Sequence, residues 1–482
     1  MKNIIILLVA YFLQGCGIFA SNPFPSNRYI LDKEAVKFSE TVPEISFSNL
    51  PPQEKRIGQE FPRTHIIVSS SGGGARAAAF TLGVLSELQD NIVGKDSNLL
   101  NEVDYFSTVS GGGWGVASYL SNSVIKGAPY DLGDSNNIEI INQYAKYEEL
   151  RDKIFDCHSN SLSTITNNVK LKDIYSEGQT EPLFPYILPN ITVSANQSPF
   201  VITKEFVEHY KINKFSSESC EEKYSINLND IDKSIGDIPL SYAIGLSSSV
   251  PGFYLGRAET DICLQSEMKS SYFCEQGKHK YTNLTLVDGG VYDNYGVFSA
   301  LEILNSKPPN EKKILIIIDA NADATIPFEN SESSNFDTAY DTGLALGFPS
   351  RTAFFQRYFT KVADVLGIEV IYIGFNTLFL SDNQSQSRYS LNNLSSSYPE
   401  LVEAANNRIC YDDKTGQSLK PGNLLRLESK DCSNNNLFRA AINNKTTYAF
   451  GEEMFKRMYQ LGQVATEINL EKNTSKEVLS LF

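Results

Sequence analysis

The chain of 482 residues is acidic, with a formal net charge of −15 at pH 7, and 41% of its residues are hydrophobic. This length and apolar content allow one large α/β domain with insertions, or two to three smaller domains. The negative charge and the lack of a basic cluster exclude nucleic acid as an expected partner and argue against electrostatic docking on anionic lipid. Contact with a membrane is therefore expected to depend on apolar surface or on a covalent anchor.

The N-terminus has the pattern of a lipoprotein signal peptide over residues 1–15. Lys2 precedes an apolar run that is too short to span a bilayer, and the run ends in Leu13-Gln14-Gly15-Cys16. This ending resembles the lipobox of bacterial lipoproteins and implies lipidation of Cys16. Cleavage after Ala20 is the alternative.

Residues 16–60 contain scattered prolines and are predicted to form a polar tether. Several acyl chains would hold the protein on a membrane through this tether. We therefore expect a lipid-anchored protein of the bacterial cell envelope, with the outer membrane favoured. Without lipidation, the expected location is periplasmic or secreted.

Six further cysteines form an even set, which in an exported protein favours disulfides. Proximity in the chain suggests Cys263–Cys274 and Cys410–Cys432 as local pairs and leaves Cys157–Cys220 to close a longer loop, although six cysteines allow 15 pairings. Coordination of zinc by some of these cysteines is the alternative to disulfides. No C-x-x-C occurs and the four histidines are scattered, so we expect no metal site.

The first chemically informative stretch is a predicted strand at 64–70, followed by Gly72-Gly73-Gly74-Ala75-Arg76 and a helical pattern at 77–88. A glycine loop between a strand and a helix exposes backbone N–H groups at the positive end of a helix dipole, which suits an anion. The anion could be a phosphate or the oxyanion formed when a serine attacks an ester. The loop lacks the lysine and hydroxyl of a nucleotide P-loop. A plain glycine-rich connection is the alternative.

A second stretch delivers Ser110 from a β-prone run at 103–109 into three glycines and a further helical pattern. A serine at a sharp strand-to-helix turn has the geometry of a nucleophile elbow. The position two residues earlier is usually glycine and is Thr108 here, so the elbow pattern is incomplete. An ordinary turn is the alternative.

A third stretch is the predicted strand 284–288, which ends in Asp288-Gly289-Gly290. Further predicted strands at 313–319 and 368–374 alternate with helical patterns, which indicates a mostly parallel central sheet with helices on both faces. Reactive groups would then collect at the carboxyl ends of the strands, where both glycine loops fall.

The remaining segments are organised around this sheet. We predict a catalytic domain over 61–375 with an insertion at 122–185 and a charged loop at 207–236. Residues 376–482 are predicted to be a polar elaboration and a closing helix at 455–468, packed on the same domain.

Four motifs in order resemble those of the patatin-like phospholipases, a family of serine lipid acyl hydrolases. They are the glycine loop at 72–76, Ser110-Gly-Gly112, the region 243–253 with its serines and proline, and Asp288-Gly-Gly290. The resemblance implies a three-layer α/β sandwich, here with disulfide-bearing insertions. It also implies a dyad in which Ser110 is the nucleophile and Asp288 the proton acceptor.

The same resemblance assigns supporting roles around the dyad. The oxyanion hole would be formed by backbone N–H groups of Gly72, Gly73, Gly74 and Gly111, with Arg76 in support. No cofactor or metal is implied. The expected substrate is a phospholipid or another acyl ester, and the alternatives are a catalytically silent lipoprotein that binds lipid or protein and a serine amidase or protease.

Overall fold

The computed structural model describes the parts of the chain that carry these motifs. The described residues are 64–93, 97–132, 140, 142–144, 158–175, 184–194, 198–203, 206–207, 212–217, 226–227, 235–250, 256–260, 274–275, 278–279, 282–320, 361–374 and 452–470.

Fourteen strands lie in these ranges. They are β1 Thr64–Ser70, β2 Ile92–Val93, β3 Ser97–Asn98, β4 Tyr105–Thr108, β5 Tyr186–Val193, β6 Ser198–Val201, β7 Ile212–Ser217, β8 Ile226–Asn227, β9 Gly256–Thr260, β10 Cys274–Glu275, β11 Lys278–His279, β12 Thr282–Asp288, β13 Lys312–Asp319 and β14 Glu369–Gly374. A 3-10 turn, Leu99–Glu102, precedes β4.

Residues 140, 142–144, 206–207 and 361–365 are helical. Eight further helices, with both ends among the described residues, accompany the strands. They are α1 Gly74–Asp90, α2 Ser110–Lys126, α3 His158–Thr166, α4 Leu171–Tyr175, α5 Leu240–Ser247, α6 Gly290–Asp293, α7 Val297–Ser306 and α8 Glu452–Leu470. Helix α2 runs to Lys126, so residues 122–126 of the predicted insertion belong to this helix.

The main sheet is mixed, which corrects the prediction of a mostly parallel one. Its strand order is β14-β13-β1-β4-β5-β12-β9-β7-β8, with β6 paired to β5. Pairing is parallel from β14 to β5 and antiparallel from β5 to β8. The parallel half uses crossover helices, whereas the chain makes an antiparallel turn from β5 to β6.

Strand β5 joins the two halves of the sheet. Residues 186–189 pair in parallel with β4, and residues 191–193 pair antiparallel with β12. Asn190 lies between these two registers. The strand that ends near Ser110 and the strand that ends at Asp288 are therefore both neighbours of β5.

The predicted charged loop at 207–236 contains strands β7 and β8, so that prediction was wrong in part. A β-bulge shifts the register between Ile212 and Lys214. Because a bulge interrupts the period-two alternation of side chains, the strand pattern is lost from the sequence.

Helices α1, α2, α5 and α8 pack on one another beside the sheet, and α7 lies against β1, β4 and β13. The contact of α8 with α1 is close, because a Cβ on Gly83 would overlap the carbonyl oxygen of Tyr459, and one on Gly462 would overlap that of Phe80. Between helices and sheet lies the core, which contains fully buried side chains such as Phe80 and Trp114. The C-terminal helix thus supports the helix that begins at the glycine loop.

Candidate active site

Ser110 lies at the turn between β4 and α2, with a backbone φ of 48°. Residues other than glycine rarely adopt this left-handed region, and such strain persists only where the surrounding structure enforces it. The backbone N–H of Ser110 donates to Ser247 Oγ at 3.1 Å. The side chain is buried, with a residue exposure of 6%. This is the strained strand-to-helix turn that a nucleophile elbow requires.

The two glycine loops meet directly beside Ser110. A Cβ on Gly111 would lie 2.5 Å from the backbone nitrogen of Gly74, and a Cβ on Gly72 would lie 3.3 Å from Ser110 Cβ. At position 111, a side chain would displace the Gly74 backbone, and at position 72 it would collide with the Asn294 side chain. The N-terminal ends of α1 and α2 therefore converge on one small volume.

The loop at 72–74 presents its N–H groups unequally. The N–H of Gly72 donates to the carbonyl oxygen of Asn294 at 3.0 Å. Gly73 and Gly74 have φ values of 146° and 62° and lead into α1. The first N–H groups of a helix have no intrahelical acceptor. Gly73 and Gly74, with Gly111 in the first turn of α2, are thus the N–H groups available for an anion here.

Asp288 ends β12, and its carboxylate lies near enough to the Ser110 hydroxyl for that side chain to lower the pKa of Asp288. Its Oδ1 accepts the N–H of Gly290 at 2.8 Å. Burial raises the pKa of Asp288 to about 6, and the hydrogen bond from Gly290 and the Ser110 side chain lower the pKa and partly oppose this effect. Desolvation disfavours the charged carboxylate, which makes it a better proton acceptor than an exposed aspartate.

Arg76 is buried in the first turn of α1, with an exposure of 3%. A Cβ on Gly73 would lie 3.3 Å from Arg76 Nη2. The guanidinium therefore packs beside the glycine loop and contributes positive charge next to it.

Several residues that shape the site were given no individual role by the sequence, although Ser247 lies in the 243–253 motif. Ser247 accepts the N–H of Ser110, and Asn190 Nδ2 donates to the carbonyl of Thr108 at 3.0 Å. Asp293 accepts the N–H groups of Tyr295 and Phe298, both at 2.9 Å, at the start of α7. An aspartate shortly before a helical pattern is a recognisable capping signal. A polar residue within a buried strand has no such signature.

The predicted lipidation site and disulfides fall largely outside the described part of the chain. Cys16, Cys157, Cys220, Cys263, Cys410 and Cys432 lie outside the described residues, and Cys274 is described only as part of the backbone of β10. The lipid anchor and the three pairings therefore stay predictions.

Among the described residues, no group of three histidine, cysteine, aspartate or glutamate side chains is placed to hold a metal ion. None of the described helices combines the length and apolar character needed to cross a membrane.

Residues 68–301 match the family model described as patatin-like phospholipase. The chain contains a patatin-like phospholipase domain. The matched region begins within β1 and ends within α7, so it includes the glycine loop, Ser110, Ser247 and Asp288. Strands β13 and β14 and helix α8 lie outside the matched region and pair with or pack on its elements.

Comparison with solved structures returned human GIVD cytosolic phospholipase A2, at 14% identity and a TM-score of 0.38, covering 93% of this chain and 65% of the human chain. The same enzyme in complex with methyl gamma-linolenyl fluorophosphonate matches at 15% identity and a TM-score of 0.36, covering 93% of this chain and 64% of the human chain. VipD from Legionella pneumophila matches at 11% identity and a TM-score of 0.24, covering 70% of this chain and 69% of the VipD chain. The chain thus spans about 65% of the length of the human enzyme. A comparison with curated protein sequences gave no match.

Proposed function

We propose that this protein is a serine lipid acyl hydrolase that cleaves carboxylic esters of phospholipids or related glycerolipids. The observation that carries the proposal is the placement of strained, buried Ser110 beside the buried Asp288 carboxylate, whose pKa its side chain lowers, at the meeting point of two helix N-termini. The patatin-like domain at 68–301 supports the same class of reaction.

In the proposed reaction, Ser110 Oγ attacks the ester carbonyl while its proton passes to Asp288. The N–H groups of Gly73, Gly74 and Gly111 stabilise the oxyanion that forms. The alcohol leaves with the proton from Asp288, and the acyl group stays on Ser110. Water then attacks the acyl-enzyme and gives a proton to Asp288. The bond between the acyl carbon and Ser110 Oγ breaks, the proton passes from Asp288 back to Ser110 Oγ, and the carboxylic acid is released. Each oxyanion donor of this kind typically contributes ~2.7–4 kcal/mol of transition-state stabilisation.

The proposed oxyanion hole excludes two nearby N–H groups that already have acceptors. The Gly72 N–H donates to Asn294, and the Ser110 N–H donates to Ser247. Gly72 acts instead by keeping the loop close to Ser110, because it leaves room for the Asn294 side chain. Arg76 is proposed to orient this loop or to meet a lipid phosphate at its edge.

The proposal is tested with purified protein and vesicles of phosphatidylcholine, phosphatidylethanolamine or phosphatidylglycerol, with released fatty acids identified by mass. Wild-type protein should release fatty acid with EDTA present, since no step of the dyad chemistry involves a metal. Ser110→Ala should abolish release. Ser121→Ala is the matched control, because this buried serine of α2 bonds only to the carbonyls of Ser118 and Ile165.

Three results would contradict the proposal. Unchanged fatty acid release by Ser110→Ala would show that Ser110 is not the nucleophile. A wild-type protein that binds these vesicles without releasing fatty acid would favour a silent lipid-binding lipoprotein, and turnover of casein without turnover of lipid would favour a protease.

We also propose that the protein acts in the bacterial cell envelope, anchored through Cys16. The support is the lipobox-like sequence that ends in this cysteine. Metabolic labelling with an alkyne fatty acid should tag the wild-type protein and not a Cys16→Ser variant. Equal labelling of both proteins would contradict the anchor.

A further inference from the structure

The C-terminal end of helix α5 bonds to both members of the proposed dyad. The hydroxyl oxygen of Ser247 accepts the backbone N–H of Ser110 at 3.1 Å. The carbonyl of Ser249 accepts the N–H of Asp288 at 2.8 Å, and the carbonyl of Ser247 accepts the N–H of Gly289 at 3.2 Å. One short segment therefore connects the nucleophile turn with the strand that carries the base.

The bond from Ser110 to Ser247 acts on a strained residue. At a φ of 48°, Ser110 would relax to an ordinary conformation unless its backbone groups were held. Ser247 is fully buried, so water has no access to replace its hydroxyl as acceptor. The direction of the Ser110 N–H, and with it the direction of the side chain, depends on this one oxygen.

The Ser247 hydroxyl is itself held in place by the sheet. It donates to the carbonyl oxygen of Asn190 at 2.5 Å. Asn190 lies between the two registers of β5, and its Nδ2 donates to the carbonyl of Thr108 at 3.0 Å. A Cβ on Gly289 would overlap the Asn190 carbonyl, so this residue also touches the turn that follows Asp288. The acceptor for Ser110 is thus anchored where the two halves of the sheet join.

We propose that Ser247 is a positioning residue that holds Ser110 in its strained conformation and sets its distance from Asp288, an inference that rests on the function proposed above. Without the Ser247 hydroxyl, the Ser110 turn relaxes and its hydroxyl leaves the carboxylate. The Ser110 side chain lowers the pKa of Asp288, so its displacement raises that pKa.

Ser248, the residue that directly follows α5, provides a matched control. It is as fully buried as Ser247, and its hydroxyl also makes two hydrogen bonds, accepting from Trp114 Nε1 and donating to the Ile244 carbonyl, both at 2.7 Å. Neither bond involves Ser110 or Asp288. Ser247→Ala and Ser248→Ala remove the same atom from adjacent residues at the end of α5, and only the first releases the Ser110 backbone.

The experiment measures ester hydrolysis and the rate of labelling by a fluorophosphonate, both below the unfolding transition of each protein. Ser247→Ala should lower kcat and the labelling rate by roughly ten- to a hundredfold with KM unchanged. The rise of kcat with pH should also move to higher pH in Ser247→Ala. Ser248→Ala should keep the wild-type kcat, the wild-type labelling rate and the wild-type pH dependence of kcat.

Equal behaviour of Ser247→Ala and Ser248→Ala, with the wild type active, would overturn this inference and leave the proposed function intact. A wild-type protein without hydrolysis or labelling would overturn both. If Ser247→Ala does not fold, Ser247→Thr decides, because it keeps the hydroxyl. Near wild-type labelling of Ser247→Thr supports the inference, and a folded Ser247→Thr protein without labelling overturns it.

Discussion

The buried carboxylate of Asp288 should lower the stability of the fold at neutral pH, and an asparagine in its place should restore that stability. Asp288 is 5% exposed, and burial raises its pKa from 3.8 to about 6. In the unfolded chain the pKa returns to about 3.9. A difference of about two pKa units corresponds to about 3 kcal/mol of unfolding free energy, because each unit is worth 1.36 kcal/mol.

The sign of this effect follows from which state binds the proton more tightly. The folded state has the higher pKa, so stability falls as pH rises from about 4 to about 6. Below this window the carboxyl is protonated in both states and the penalty is absent. Above it the full penalty applies.

Asp288→Asn keeps the shape of the side chain and an acceptor for the Gly290 N–H without the charge. Urea denaturation should show the variant more stable than the wild type by about 3 kcal/mol at pH 8, with this gain absent at pH 4. Asp237→Asn is the control for the same substitution. Asp237 is exposed, and hydrogen bonds from Lys172 and Lys170 lower its pKa, so its replacement should give no gain at pH 8.

A difference between Asp288→Asn and the wild type that does not change with pH would refute this reasoning. So would an Asp288→Asn protein that is less stable than the wild type at pH 8.

Three further predictions follow from the same contacts. The kcat/KM for ester hydrolysis should rise with pH and level off above a pH of about 6, because Asp288 must be ionised to accept the Ser110 proton; a rate that is highest at pH 4 would contradict this. Gly83→Ala should lower the free energy of unfolding by about 1–3 kcal/mol in urea denaturation, since its Cβ would meet the backbone of α8. Gly127→Ala is the control: Gly127 has a left-handed backbone but open space around it, and the substitution should lower the free energy of unfolding by about 1 kcal/mol. A loss for Gly83→Ala that is smaller than the loss for Gly127→Ala would contradict the close packing of α8 on α1. Asp293→Ala should lower the free energy of unfolding by about 2 kcal/mol, because the backbone N–H groups of Tyr295 and Phe298 lose their acceptor. The variant should also show faster hydrogen exchange in the first turn of α7. Unchanged exchange there would contradict the capping role of Asp293.

The positions of Ser110 and Asp288 could be predicted because the local pattern is sufficient. Each follows a β-prone run and precedes glycines, so each was expected at the carboxyl end of a strand. Their meeting depends on β5, whose pattern does not reveal that it pairs in parallel with β4 and antiparallel with β12. That change of partner is why a mostly parallel sheet was expected and a mixed one is found.

The sequence did not predict the supporting roles of Ser247 and Asn190, for a related reason. Ser247 and Asn190 act through hydrogen bonds to backbone groups of distant segments, and neither has a local signature of that role. The engaged N–H of Gly72 is a similar case, since its acceptor, Asn294, follows the strand of Asp288. A glycine-rich loop indicates which N–H groups exist, and only the packed structure indicates which of them are already bonded.

The central claim is that Asp288 activates the hydroxyl of Ser110, and mass spectrometry after treatment with an alkyl fluorophosphonate tests it most directly. Wild-type protein and Asp237→Asn should each carry one adduct, and peptide mapping should locate it on Ser110. Asp288→Asn should carry none under the same conditions. Full modification of Ser110 in Asp288→Asn, or an adduct on another serine in the wild type, would contradict the account.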